Sequence, residues 1–164
     1  MIGVVADDLT GANDIGVMFA KHHYKTLVIS YDALDNGEYD ADVVVVDTDS
    51  RLNEPARAYS KIRKATKRLA DLGCTMFFNK TCSVFRGNIG REFDAMLDEL
   101  GETFALVILG FPKNGRTTVD GIHYVRGVEL KKSEFADDPV HPMRESNLLT
   151  ILQQQTSRKV GLLD

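Results

Sequence analysis

Two adjacent carboxylates, Asp7 and Asp8, stand where the apolar run of residues 2–6 stops, in the stretch VVADDLTGAND. Like charges side by side raise one another's cost of ionisation, so the two acids do not serve one partner cheaply. Consecutive residues leaving a strand point to opposite sides. One of the pair can therefore face a ligand and hold or deprotonate a hydroxyl, while the other caps or braces the loop. An aspartate that takes a hydroxyl proton is a common way to activate an oxygen nucleophile. Plain negative charge at the start of a helix accounts for the pair equally well from these two residues alone.

Three further polar clusters follow apolar runs: Asp47-Thr48-Asp49-Ser50-Arg51, Asn79-Lys80-Thr81-Cys82-Ser83 and Pro112-Lys113-Asn114-Gly115-Arg116. In open α/β sheets, ligands bind beyond the carboxyl ends of the strands, and four polar strand ends on one edge point to a site. Thr10-Gly11 and Arg86-Gly87-Asn88 open helices whose free N–H groups would face the same crevice. Arg51, Lys80, Arg86 and Arg116 bring positive charge, and arginine grips a carboxylate or phosphate with two parallel bonds. Such a crevice suits a small anion bearing hydroxyls.

Other chemistries are less well supported. The chain has neither GxxxxGK[ST] nor GxGxxG, so the usual nucleotide-phosphate loops are missing. Cys82 has no histidine arranged to activate it and reads as a small residue packed beside the site. His123 and His141 lie in turn-rich sequence and read as structural. Asp47 and Asp49 are weak evidence for magnesium, and no spacing of His, Cys and acid suits zinc. The basic residues between Arg57 and Arg68 read as a solvated helix face, and the net charge of -4 gives no reason to expect nucleic acid or a membrane. Two separated cysteines without a CxxC unit, and no leader-like or membrane-length apolar run, lead us to expect a cytoplasmic protein with reduced thiols.

The elements that must position these groups alternate. Residues 2–6, 26–30, 43–46, 74–78 and 104–109 read as strands. A helix capped by Thr10 runs to about Lys21; others are expected over 55–72, starting on a favourable proline, over 88–100 with an apolar stripe, and over 147–155. A small β-hairpin insertion is expected near 119–130, with Arg126-Gly127 at its turn, and residues 159–163 read as the start of another strand. This order predicts an α/β fold: an open, mostly parallel sheet with helices on both faces, a Rossmann-like three-layer arrangement.

The stretches ADDLTGANDIG, DTDSR, RGNIGREFDAMLDEL, FPKNGRTTVDGIHYVRGVEL and EFADDPVHPMRESNLLTILQQQTSRKVGL, in this order and over nearly the whole chain, closely resemble the N-terminal domain of the four-carbon acid sugar kinase family. The resemblance implies ATP-dependent phosphorylation of threonate, erythronate or a related hydroxy acid. Residues 1–164 would be the sugar-acid-binding domain. ATP with magnesium would be held by a C-terminal domain outside these residues, supplied in cis or in trans. Carried over position by position, Asp7 and Asp8 would be catalytic, orienting and deprotonating the accepting hydroxyl. Arg51, Lys80, Ser83, Arg86, Asn114, Gly115 and Arg116 would bind the small anionic sugar acid, with no metal ligand among them. The family pattern K-x-D-S-T-x-R-G reads KTCSVFRG here, so Cys82 and Val84 imply a preference for a different acid, one with fewer hydroxyls or an added amine. The alternative expectation is a stand-alone, non-catalytic binding module for an anionic metabolite; self-association is left open by either.

Overall fold

The computed structural model describes residues 1–34 and 37–163. Four strands, β1 (Ile2–Ala6), β2 (Thr26–Ser30), β3 (Val43–Asp47) and β4 (Met76–Lys80), form a parallel sheet in the order β2-β3-β1-β4. Helices follow three of the strands: α1 (Leu9–Lys21) follows β1, α2 (Pro55–Asp71) follows β3, and α3 (Ile89–Leu100) follows β4. Alternation along the strands sends Val4, Ala6, Val43 and Val45 to one face, where they pack with Ala12, Ile15 and Phe19 of α1. Val5, Val44 and Val46 go to the other, against Ile62, Ala65 and Leu69 of α2 and Ala95 and Met96 of α3. The three-layer expectation therefore holds, and β1 and β3 are valine-rich because they are covered on both sides.

A second sheet is antiparallel: β5 (Arg116–Val119), β6 (Ile122–Val125) and β7 (Val128–Glu129). It contains two tight turns. Asp120-Gly121 has φ of 49° and 76°, and Arg126-Gly127 has 50° and 80°. Positive φ at both central residues matches the twist of a two-residue hairpin. The expected hairpin is thus a three-stranded meander, and Asp120-Gly121 was the signal for its first turn. A short helix α4 (Leu148–Gln153) lies against this sheet and the 82–89 loop, sharing a core of Val84, Phe85, Ile89, Val125, Leu130, Ile151 and Leu152.

Several expectations are corrected. Residues 104–109 form no strand, although their composition is strand-like. A strand exists only when its N–H and C=O groups find a ladder. Here the outer edge of β4 is not joined to this segment, which leaves Phe104, Leu106 and Ile108 exposed. Residues 159–163 are likewise not a strand. β4 starts at Met76 rather than Cys74, because the Cys74 N–H closes the end of α2 on the Leu69 carbonyl. Thr10 is not the cap of α1. Asp8 is, with extended backbone angles and its carboxylate accepting from the Gly11 N–H.

Candidate functional site

The register of the parallel sheet puts Ala6, Asp47 and Lys80 side by side at the carboxyl ends of β1, β3 and β4. The next residues of each strand therefore share one rim. Thr48 ties two of these ends together, donating its hydroxyl to the Ala6 carbonyl at 2.8 Å and meeting the Ser50 hydroxyl at 2.8 Å.

On this rim the paired aspartates part ways. Asp7 is fully buried, and both its oxygens are taken by Arg51, Nε to Oδ2 at 2.7 Å and Nη2 to Oδ1 at 2.8 Å. The third guanidinium nitrogen, Nη1, donates to Asp8 Oδ2 at 2.5 Å, and Asp8 Oδ1 accepts from Gly11 N at 2.7 Å. The Asp7 side chain is 0% exposed and that of Asp8 27%, so only Asp8 can meet a ligand. Burial raises the Asp7 pKa in spite of the Arg51 hydrogen bonds and charge; for Arg51, burial works downward but the Asp7 contacts prevail and hold it above its ordinary value.

The loop carrying Arg51 is held from α3. Asn88 Nδ2 faces the carbonyls of Ser50, Arg51 and Asn53 at 3.3, 3.4 and 2.9 Å. Gly87 has φ +102°, and a Cβ there would stand 3.0 Å from Arg51 Cγ and 3.3 Å from its carbonyl oxygen. Two residues earlier, Phe85 is buried with φ 60°. A bulky residue in this region costs of order 1–3 kcal/mol and persists only where the surroundings enforce it.

Beyond Arg51 lies Cys82, whose sulfur accepts from Arg86 Nε at 3.4 Å. Arg86 Nη1 pairs with Asp138 Oδ2 at 2.7 Å, and its guanidinium lies 5.1 Å from the Phe135 ring centre. Arg116 stacks on the same ring at 5.3 Å, so one phenylalanine gathers two arginines from distant parts of the chain. Asp138 is held down at about 2, first by the His141 N–H and then by Arg86. Arg116 differs from Arg51 and Arg86: its Nη1 donates to the Asn114 carbonyl at 2.7 Å, its Nε is buried without a partner, and no carboxylate pairs with it among the described residues.

The structure thus joins Asp7, Asp8, Arg51, Arg86 and Arg116 in one series, with Cys82 and Phe135 between the arginines. Lys80 belongs to it too, its Nζ standing 3.2 Å from where a Cβ on Gly11 would lie. Ser83 is in the same loop, where its main chain lies against His123. Asn114 and Gly115 contribute main-chain oxygens, to Arg116 and to the Arg126 N–H. Asp47 turns its carboxylate to the Asp49 N–H, and among the described residues no group of three or more His, Cys, Asp or Glu is placed to hold a metal. The basic face of α2 is largely engaged: Arg63 pairs with Glu99, Lys67 with Asp71, and Lys61 with two main-chain carbonyls. A groove of about 930 Å³ runs between β4, α3 and residues 104–109, lined by Phe77, Phe93, Met96 and Leu109 together with Asn79, Thr81 and Glu102.

Sequence reasoning missed Phe135, Asp138 and Glu92. The first two sit in turn-rich sequence that offers no periodic signal. Glu92 had one: it lies three residues from Ile89 and four from Met96, inside the buried stripe of α3.

Residues 2–164 match the family described as "Sugar-binding N-terminal domain". The chain belongs to this family. The chain is 39% identical over 167 residues to a 3-oxo-tetronate kinase of Burkholderia multivorans, covering 99% of the chain and 39% of the relative. It is 38% identical over 164 residues to a D-erythronate kinase of Heliobacterium modesticaldum, covering 98% and 37%. The chain therefore spans about 39% of the length of such relatives. Among solved structures, a Haemophilus influenzae protein shares the fold with a TM-score of 0.88 at 34% identity, over 94% of this chain and 39% of that one. A Bordetella bronchiseptica protein solved with bound citrate as a domain-swapped dimer has a TM-score of 0.85 at 36% identity, over 93% and 39%.

Proposed function

We propose that this domain is the substrate-binding part of an ATP-dependent kinase that phosphorylates four-carbon sugar acids, threonate, erythronate or an oxidised relative of these. The observation that carries the proposal is the shared rim on which a partly exposed carboxylate, Asp8, stands within one connected network of a guanidinium without an acid partner among the described residues, Arg116. A sugar acid offers the complement: a carboxylate for Arg116, with Lys80 and Arg86 adding positive charge, and hydroxyls for Asp8 and the loop main chain around Ser83, Asn114 and Gly115. Asp8 orients the accepting hydroxyl and takes its proton as the phosphoryl group arrives. Arg51 holds Asp8 in place through Nη1, while its Nε and Nη2 are fixed on the buried Asp7.

The names of the kinase relatives and the citrate in the Bordetella protein, itself a hydroxy acid, support this reading. ATP and magnesium would be supplied by a C-terminal region corresponding to the remainder of those relatives, in cis or in trans. The domain-swapped relative supports self-association as part of the working assembly. A cytoplasmic location suits such metabolism, and no helix among the described residues is long and apolar enough to cross a membrane.

Titration calorimetry tests the binding step. Wild type should bind erythronate or threonate, and Arg116→Ala should weaken that binding by roughly 1.5–3 kcal/mol, the worth of a hydrogen bond to a charged group. Equal affinity in the two proteins would remove Arg116 from the site.

A further inference from the structure

Glu92 is fully buried on α3, directly behind the rim, and the reading above gives it no task. Its carboxyl receives one hydrogen bond, from Asn79 Nδ2 on β4 to Oε2 at 3.3 Å. No cation forms an ion pair with it among the described residues. Its other oxygen, Oε1, is buried without a partner, and so is Oδ1 of the same Asn79. Two buried acceptors without a donor, on side chains that already touch, are costly. One proton resolves both: placed on Oε1 and donated to Asn79 Oδ1, it closes a ring of two hydrogen bonds between acid and amide.

We propose that Glu92 is a positioning residue kept as a neutral acid, its hydroxyl donated to the Asn79 amide oxygen, so that Arg51 stays wholly on Asp7 and Asp8. The charged groups facing Glu92 are Asp7, at the end of β1, and Arg51, after β3; Asn79, on β4, is neutral. Burial, reinforced by the charge of Asp7, pushes its pKa up to about 8, against the pull of Asn79 and Arg51. An ionised Glu92 would make three carboxylates compete for one guanidinium. As the neutral form it leaves the bidentate Arg51–Asp7 bond, and through it Asp8, undisturbed at neutral pH.

The inference rests on the proposed role of Asp8 for its meaning in function, but its test needs no ligand. Side-chain carboxyl-carbon NMR of the wild-type chain should show one glutamate titrating near pH 8, with the Arg51 Nε–H signal shifting in step. Glu92→Gln should remove that titration and flatten the Arg51 signal over the same range. If the variant does not fold, the wild-type titration decides alone. Glutamates that all ionise below neutrality would overturn the neutral acid. An Arg51 signal that ignores the glutamate transition, or keeps it in Glu92→Gln, would overturn the positioning role. Failure to bind a sugar acid would count against the proposed function and leave these readings standing.

Discussion

The question posed by Asp7-Asp8 is answered by a third residue, Arg51. A single guanidinium uses three nitrogens to hold both carboxylates, so side-by-side negative charge becomes a clamp rather than a strain. The two acids then have different consequences when altered. Arg51→Ala strands the buried Asp7 charge and should destabilise the fold by roughly 3–5 kcal/mol, the range for breaking a buried pair from one side. Asp8→Asn keeps an oxygen for the Gly11 N–H; it should fold and melt near wild type, while phosphoryl transfer by the proposed full-length kinase should be lost. Chemical denaturation of the first variant and a kinase assay on the second separate the roles. An Arg51→Ala protein as stable as wild type would show that the clamp is dispensable. Both aspartates, Arg51 and Lys80 were visible in the sequence as residue types at strand ends and Arg86 at a helix start, whereas Arg116 was singled out after an expected strand that does not form and instead begins β5. Their division of labour was not visible, because it depends on which side chain each guanidinium reaches across the sheet, and no local pattern encodes that.

At the scale of elements, the site depends on strand register and on two loops locked to each other. The loop after β3 is held by Asn88 at the start of α3 and passes so close to Gly87 that a methyl group would collide with it. Gly87→Ala also asks a side chain to adopt φ +102°, and we expect a loss of more than the ~1 kcal/mol of an ordinary glycine-to-alanine change in either direction. Denaturant unfolding measures this, and wild-type stability in the variant would mean that the loop relaxes freely. β1, β2, β3 and the three main helices were legible because hydrophobic period and length agreed: short, mostly apolar runs rich in β-branched residues for strands, amphipathic stretches of twelve or more for helices. The segment 104–109 misled for an instructive reason. Its apolar, β-branched content expresses a propensity, whereas a strand is a partnership, and the edge of β4 does not supply it here. The same logic explains Thr10. Threonine suits a cap in isolation, but the chain leaves β1 in extended form through Asp8, whose carboxylate reaches the Gly11 N–H first.

For the whole molecule, the two halves of the chain meet at the rim. The parallel sheet contributes the acids, Arg51 and Lys80; the meander contributes Arg116, and the loop after it contributes Phe135 and Asp138. Ligand binding and global stability should therefore respond together to pH, with a defined sign. The Glu92 pKa is about 8 in the folded chain against an ordinary 4.5, so between these values the folded state holds a proton that the unfolded state has released. Stability from this group is full below about 4.5 and is lost as pH rises through about 8. Thermal melts of Glu92→Gln should accordingly gain on wild type as pH rises across that window. Parallel melting curves for the two proteins would contradict the sign.

The central claim is that Asp8 and Arg116, far apart in sequence, serve one small polyhydroxy anion. A crystal structure of the domain with erythronate tests it most directly. The account predicts the ligand carboxylate hydrogen-bonded to Arg116 and a hydroxyl on Asp8, with Asp7 still closed on Arg51. Erythronate bound elsewhere, or a rim left empty at saturating ligand, would contradict it.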